Sequence, residues 1–520
     1  MRTEVLIVGA GPTGLSLAAQ FVRYGVDFVI IDQKDAVTEL SKAVAVHART
    51  LEIYDQLGLA HNAISRGAVV NHVAMLNEGR IRAEIDFGDI GGNLSPFPFV
   101  LTLEQSRNEH LLYEYLKARK QEVRWLTGLE SLEQDEQHVR AVVKSVSGVA
   151  EEIEARYVVG CDGAGSKTRH LLDLSFAGDT DARLFYVADV EMTADINHDT
   201  LHLVFGADAF VLFFPMEGAN HWRLVGNLPE FREAVNETFD YAEIERKIKA
   251  LAGIPLDITN VKWFSTYKVH TRRAERFSKG RVFIAGDAAH IHTPAGGQGM
   301  NTGIQDAYNL AWKIAYVLRH NADAALLETY NEERIANAVR LLRTTDEAFE
   351  FGTGEEWYFR FFRERVLPTV APFLLQFKTA KQFVFPLISQ IGISYDEAVL
   401  SRNNPSESYK VKAGNRFPYF KLAGEDIYDY LAAPKSHLLV LPDGIADFSA
   451  SVQTVRDKYS DFIDVKIIPL YPSLVEMFGS ARTLSVFVRP DGHIGFVTSA
   501  DPLEAVGLYV SENLQLKRQG

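Results

Sequence analysis

Three glycine-rich turns carry the residues with chemical potential. The first is Gly9-x-Gly11-x-x-Gly14, the end of the run Val5–Gly14 (V-L-I-V-G-A-G-P-T-G), with Pro12 and Thr13 inside it. Glycines at this spacing permit a tight turn, let a pyrophosphate approach the backbone, and let the following helix pack against a sheet. The helix start adds N–H donors and a positive dipole end. Asp32, followed by Gln33, closes the next apolar run, where a carboxylate can accept hydrogen bonds from ribose hydroxyls. The second turn lies in Tyr157-Val-Val-Gly-Cys-Asp162-Gly163-Ala-Gly-Ser166-Lys-Thr-Arg169, which combines an acid, a hydroxyl and a base. The third begins at Gly286-Asp287, passes His290, His292 and Pro294, and ends in Gly296-Gly297-Gln298-Gly299-Met300-Asn301. A glycine loop before a helix presents free N–H groups and the positive end of a macrodipole to an anion. His290 and His292 have no third ligand cluster beside them, so no metal is expected.

The elements around these turns define their placement. Val5–Val8 reads as a buried β-branched strand, Leu15–Tyr24 as a helix with apolar positions at Leu15, Ala18, Ala19 and Val22, and Asp27–Ile31 as a second strand. Together they form a strand–turn–helix–strand unit with a right-handed crossover. Thr50–Leu59 and Leu111–Lys120 read as helices, and Val139–Val146 and Ile153–Val159 as strands. From Asp181 to Ser265 the pattern turns to alternation, at Leu201–Phe205, Phe210–Phe214 and Trp222–Val225, which predicts an antiparallel sheet. Val282–Ala285 resumes a parallel-type strand and leads into a helix ending near Arg319. Phe349–Phe385, rich in Phe and Arg, reads as packing helices. A tail from Asn403 has strands at Leu438–Leu441 and Val465–Ile468, then a hairpin, Leu484–Val488 and Ile494–Val497, turned at Pro490-Asp491-Gly492, and a closing helix over Pro502–Leu514.

The fold class expected is therefore α/β: a Rossmann-like dinucleotide domain with an inserted, mainly antiparallel β-sheet, and a separate C-terminal β/α domain that looks thioredoxin-like. The expected boundaries are 1–180 for the first part of the nucleotide domain, with 70–100 contributing to the inserted domain. The sheet follows at 181–265, the second nucleotide part at 266–350, a helical connector at 351–402 and the tail at 403–520. The tail lacks Cys-x-x-Cys, so it has a structural or dimerisation role, with a homodimer as one outcome.

Bulk properties narrow the class. The 520 residues suit two to four domains, and 47% apolar with 23% charged residues is a globular balance. A formal charge of -14 argues against a nucleic-acid partner. One cysteine, Cys161, excludes an internal disulfide, and no apolar run approaches the roughly 20 residues of a membrane span. A cytoplasmic protein without a membrane partner is expected.

The segment G-D-A-A-H-x-H-x-P-x-G-G-Q-G-M-N, read with the other two turns, resembles the class A flavoprotein monooxygenases of the p-hydroxybenzoate hydroxylase fold. It is most similar to the phenol hydroxylase and polyketide aromatic hydroxylase branch, whose members carry a thioredoxin-like C-terminal domain. The resemblance implies non-covalent FAD, with NADPH (or NADH) as a transient co-substrate that needs no Rossmann domain of its own. It further implies transfer of one oxygen atom from O2 to a phenolic or polycyclic aromatic compound. By resemblance Asp287 holds the ribityl chain, Asp162 and Gly163 belong to a motif associated with FAD and NADPH, and Gln105 and Arg49 lie near the cofactor. The N–H groups of Met300 and Asn301 would stabilise the negative charge of a reduced flavin ring. Lys42 stands where relatives commonly have arginine, keeping the charge but not the planar fork. The substrate is expected between flavin and inserted sheet, with Phe210–Phe214 (Leu212 and Phe214 among them), Pro215 and Met216 near one wall and Pro294 as a further substrate contact. No single catalytic base stands out. Epoxidation, oxidative decarboxylation or antibiotic inactivation on the same scaffold, or a non-catalytic flavin-binding partner, remain open alternatives.

Overall fold

The β-branched run at the N-terminus forms β1 (Arg2–Val8), buried from Val5 onward, and the turn at Gly9–Gly11 sends the chain into α1 (Pro12–Tyr24). Proline at the first position of α1 fits because its missing N–H would have had no helical partner. Gly25 ends the helix in a left-handed conformation, φ 66°, and β2 (Phe28–Ile31) returns parallel to β1. On the other flank of β1 lies β3 (Ala150–Gly160), again parallel, and next to it β4 (Val282–Ile284). The structure, a computed structural model, describes residues 1–39, 43–206, 209–228, 241–293, 295–353, 384–404, 406–445 and 447–515.

The spatial order β4–β3–β1–β2 brings together strands far apart in sequence, all pointing the same way. Their C-terminal ends therefore share one edge, where β1, β3 and β4 each lead into one of the three glycine turns and β2 ends just before Asp32. Ligands of open parallel sheets sit at such an edge, because the strands end there and helices begin. Two long helices cover the sheet region further on, α2 (Gly299–Arg319) and α3 (Glu328–Thr353). Helices are also formed by Ala48–Asp55 and, from Gln105 rather than Leu111, by Gln105–Ala118. The helix expected over Thr50–Leu59 stops at Asp55, and a second one, Ala60–Ser65, follows Gly58 at φ 71°.

The second sheet has eight strands and is antiparallel except where Thr200–Phe205 lies parallel to His72–Asn77. His72–Asn77 and Arg80–Asp86 come from the 70–100 segment expected to join it. Its two longest strands, Phe176–Ala194 and Leu256–Ala274, cross the expected limits at 180 and 265. One face packs Val211, Phe213, Trp222 and Leu224 against the helix Tyr241–Ala252. The period of two then sends Leu212 and Phe214 to the opposite face, where they are half-buried. Of the segment Phe349–Phe385, residues 354–383 lie outside the described residues.

The tail holds a four-stranded sheet in the order Ile463–Ile467, Ser436–Leu441, Leu484–Val488, Ile494–Thr498. The first two strands are parallel and the later neighbours antiparallel. Helices Ser449–Tyr459 and Pro502–Glu512 pack on it, and Trp312 and Tyr316 of α2 enter the same apolar cluster. The tail thus shares a core with the helix that follows the third glycine turn.

Close packing at the first turn has a measurable consequence. A Cβ on Gly14 would lie 1.9 Å from the Gly9 carbonyl oxygen, whereas one on Gly11, whose backbone is extended, would meet nothing within 4 Å. Gly14→Ala is expected to cost roughly 1–3 kcal/mol through overpacking, read as a lower melting temperature. Gly11→Ala leaves the melting temperature of the cofactor-free protein unchanged.

Candidate cofactor and active site

The first turn joins the other two, the third at Thr13 and the second at Gly9. A Cβ on Gly286 would lie 2.5 Å from Thr13 Oγ1, and one on Gly303 of α2 would lie 2.4 Å from the same atom. A Cβ on Gly9 would sit 2.4 Å from the Cys161 carbonyl oxygen and 2.9 Å from Asp162 Cα. Contacts this short exist only because side chains are absent at all three glycines. The first, second and third turns therefore form one continuous rim along the sheet edge.

That rim fits a dinucleotide. α1 begins with no side-chain cap and no acidic residue in its first turn, so the Thr13 and Gly14 N–H groups are not claimed by a capping side chain. Above Gly11, and along the second turn at Gly163 and Gly165, an added Cβ would meet nothing within 4 Å. Asp32 is buried, and its Oδ2 accepts from Ala10 N at 2.6 Å while Oδ1 accepts from Lys34 N at 2.8 Å. The carboxylate braces the first turn, and its oxygens keep lone pairs for a ribose. Gln33 next to it is exposed.

In the second turn Asp162 works within the protein. Its Oδ1 accepts from Ser166 Oγ at 2.6 Å, and its Oδ2 from Thr168 N and Oγ1 at 2.9 and 3.0 Å. Its carboxylate shapes the Gly163 turn, φ 75°, and anchors the short helix Lys167–Leu171. Arg169 is buried, stacks its guanidinium 3.8 Å above the Phe176 ring, and donates to Ala164 O and Ala288 O. It thereby ties the second turn to the third. Asp287 stands exposed in that third turn, beside buried Gly286.

The loop before α2 is fastened from below. Asn301 is wholly buried: its Nδ2 donates to Ala45 O and Gly297 O at 2.8 and 2.9 Å, and its Oδ1 accepts from His47 N and Thr50 Oγ1 at 2.9 and 2.7 Å. The side chain is a staple between this loop and the 45–50 segment, which leaves only the backbone N–H for a ligand. Gly297, φ 63°, passes so close to Ala45 that a Cβ would lie 2.7 Å from Ala45 Cβ. α2 has no side-chain cap and no acid in its first turn, so the N–H groups of Gly299, Met300 and Asn301 form a donor cluster. Met300 Sδ accepts from Asn108 Nδ2 at 3.4 Å, and Tyr54 fixes that amide. Gln105 opens its helix with its N–H on Ala43 O at 3.1 Å and its amide on Glu109.

The second sheet reaches this loop. Arg223, buried and clamped by Asp189 at 2.6 Å, approaches Ala43 O at 3.4 Å, and Thr102 Oγ1 donates to Pro215 O at 2.5 Å. Leu212 and Phe214 thus lie on the sheet face turned toward the 43–45 segment, while Met216 is buried. Lys42 and Pro294 lie outside the described residues.

Arg49 is buried, with its guanidinium bonded to Glu52 Oε2 at 3.0 Å and to Asp491 O of the tail at 2.6 Å. Its role is to dock the tail, and the partners 442 positions away explain why the sequence did not reveal it. Sequence reasoning also missed Asp306, whose carboxylate accepts from Gly286 N at 3.0 Å and His290 Nε2 at 2.7 Å. A lone acid on a helix reads as a solvated residue, and here it supports the third turn. Among the described residues Glu104, Asp189 and His221 bring three donor atoms within 4.8 Å, with Asp189 already paired to Arg223.

His47 gives the loop a pH dependence. Its Nε2 bonds Gly296 O at 2.9 Å, and burial pushes the imidazole down to about 4 against the raising effect of the Gly296 and Gly297 carbonyls. The unfolded ring binds its proton near 6.5 and the folded ring only near 4, so acidification through that window favours unfolding, by up to roughly 3 kcal/mol. His292, held at about 4 by the same burial, acts with the same sign. The melting temperature should fall as pH drops from 6.5 to 4, and His47→Gln should make that fall shallower.

The family model described as "FAD binding domain" matches residues 2–345. The 6-methylpretetramide 4-monooxygenase of Streptomyces rimosus is 38% identical over 347 residues, 66% of this chain and 61% of that protein. Pentachlorophenol 4-monooxygenase of Sphingobium chlorophenolicum is 31% identical over 506 residues, 94% of this chain and 88% of the relative. The solved structure of OxyS anhydrotetracycline hydroxylase from Streptomyces rimosus is similar with a TM-score of 0.75 at 28% identity, covering 99% of both chains. With the three turns on one sheet edge and the family model spanning most of the chain, this protein belongs to the FAD binding domain family and is a class A flavoprotein monooxygenase.

Proposed function

We propose that the chain hydroxylates a phenolic or polycyclic aromatic compound, using FAD as bound cofactor, NAD(P)H as electron donor and O2 as oxygen source. The observation that carries this reading is that the 43–45 segment joins an N–H-rich helix start, Gly299–Asn301, to the half-buried apolar sheet face bearing Leu212 and Phe214. Bound there, FAD supplies the redox chemistry.

The chain's own residues supply position and charge. In this reading the Thr13 and Gly14 amides take the pyrophosphate beside Gly9 and Gly11, with Pro12 pre-setting the helix start. Asp32 takes the ribose, with Gln33 beside it. Asp287, carried by Gly286, faces the ribityl chain, and Gly163 gives backbone access shaped by Asp162. Gly297, Gly299, Met300 and Asn301 present backbone N–H groups where negative charge gathers on a reduced ring, a preorganised stabilisation needing no reorganisation of the protein. Gln105 sets the position of the 43–45 segment. Leu212, Phe214 and Pro215 form a dry wall for an aromatic substrate.

The domain reading follows. Residues 1–180 and 266–350 form the FAD-binding part, with 70–100 contributing to the interrupting sheet over 181–265, whose strands Phe176–Ala194 and Leu256–Ala274 overrun both limits, and with 351–402 as connector. The tail, 403–520, is thioredoxin-like: its parallel pair followed by an antiparallel hairpin supports this, with two flanking helices. The single cysteine, Cys161, lies in the second glycine turn, so the tail has no thiol chemistry.

The purified protein should be yellow, and a suitable phenol should accelerate NADPH oxidation while its product gains the mass of one oxygen atom. Electron transfer from NADPH without any oxygenated product across a broad aromatic panel sinks this reading.

A further inference from the structure

The tail meets the cofactor region through an unbroken line of buried contacts. Asp306, fully buried on α2, holds the third glycine turn at both ends, accepting from Gly286 N and from His290 Nε2. Its other oxygen accepts from Arg334 Nε of α3 at 2.6 Å. The same guanidinium donates to the Tyr395 hydroxyl at 2.7 Å and to Thr302 O at 3.2 Å. Tyr395 receives its place from the tail: its N–H donates to Gly414 O at 2.9 Å, and its ring lies 4.5 Å from the His493 ring. His493 N in turn donates to Asp491 Oδ1.

A second line closes the circuit. Glu333, the helical neighbour of Arg334, binds Arg489 of the tail through both oxygens at 2.5 and 3.0 Å and also accepts from Lys313 Nζ of α2 at 2.7 Å. Arg489 is paired in addition with Asp491. One turn of α3 therefore points one charged side chain at the tail and the next at the Gly286 turn. All of these charged side chains are essentially excluded from water. Removing one partner from such a set leaves another charge desolvated without compensation, so its members move as a unit.

We propose that Tyr395 and Arg334 are positioning residues through which the docked tail fixes the Gly286–Asp287 turn, and hence the affinity and potential of the bound flavin. The tail is then a part of the cofactor site rather than an appendage. This rests on the assignment of that turn to FAD. The Tyr395 hydroxyl is the sensitive point, because it accepts a charge-assisted bond from the guanidinium that also orients Asp306. Without it one Arg334 N–H has no acceptor, and the fork is free to tilt away from Asp306. The carboxylate then no longer sets the Gly286 N–H and His290 at fixed positions.

The test uses the full chain, stripped of flavin and titrated with FAD, with the flavin midpoint potential measured on the reloaded protein. Tyr395→Phe is expected to weaken FAD binding roughly tenfold, the scale of one lost charge-assisted bond, and to shift the potential. His493→Leu, which removes the tail ring against Tyr395 and leaves the hydroxyl, should give a smaller change of the same sign and covers the case in which the first variant folds poorly. Asp287→Ala serves as the reference for the turn itself. If Asp287→Ala weakens FAD binding while both folded variants keep wild-type affinity and potential within twofold, the coupling is refuted. If Asp287→Ala also leaves affinity unchanged, the assignment of the turn fails instead. Lower melting temperature in the variants without any change in affinity or potential assigns the chain of contacts a purely structural role and likewise overturns the proposal.

Discussion

The carboxylate of Asp306 is the point on which the rest of the site depends. Fully buried, it carries a negative charge only because Arg334 and His290 lie against it and Gly286 N donates to it. Burial alone would raise its pKa, yet the guanidinium, the histidine and the hydrogen bonds bring it down to about 2. The protein thereby places a permanent anion directly under the third glycine turn. Such a group is costly unless every partner is in place, so it favours one arrangement of α2, α3 and the Gly286–His290 turn over near alternatives. Buried ion pairs give little net stability against apolar replacements, and their effect here is to fix geometry.

The same logic extends into the tail. Lys313 is pushed down to about 8 by burial, against the attraction of Glu333, while Glu333 is brought down to about 2 by Arg489 and Lys313 despite its own burial. Glu52, similarly buried, is shared between Arg49 and Arg416. The Glu333–Arg489 and Glu52–Arg416 pairs cross from the nucleotide-binding region to the tail, and Trp312 Nε1 donates to Asp491 of the tail as well. A largely apolar interface could slide, whereas this one has a single register. That is the physical basis for a shared core between α2 and the tail, and for the placement of the glycine loop at the other end of α2.

At the ligand-facing end the protein uses backbone rather than side chains. Asn301 and Asp162 spend their polar atoms on neighbouring chain, and what they leave facing the rim is a row of N–H groups and bare glycines. Fixed amide dipoles suit a cofactor whose charge changes during the reaction, because they neither titrate nor swing. Further out stand exposed Asp287 and Gln33 and the half-buried sheet face at Leu212 and Phe214.

Much of this was legible in the chain alone. The phosphate loop, β1, α1, β2 and the closing Asp32 obey short-range rules in which three glycines and a β-branched run leave one conformation open. The tail's strands and its Asp491-Gly492 turn were readable for the same reason. Helix starts and strand ends shifted by several residues, as at Gln105 and at Phe176, because hydrogen bonding to neighbouring elements extends them beyond the apolar pattern. The roles of polar residues were the part not legible. Asp306, Asn309 and Lys313 look like the wet face of an amphipathic helix, and only the docked tail and α3 make that face interior. The bond from Arg49 to the tail, at Asp491 O, was not legible either. Sequence determined the backbone that can cradle a dinucleotide, since that follows from local stereochemistry. Tertiary structure decided which charges serve the ligand and which serve the fold, since a charge is defined by partners that can lie hundreds of residues away.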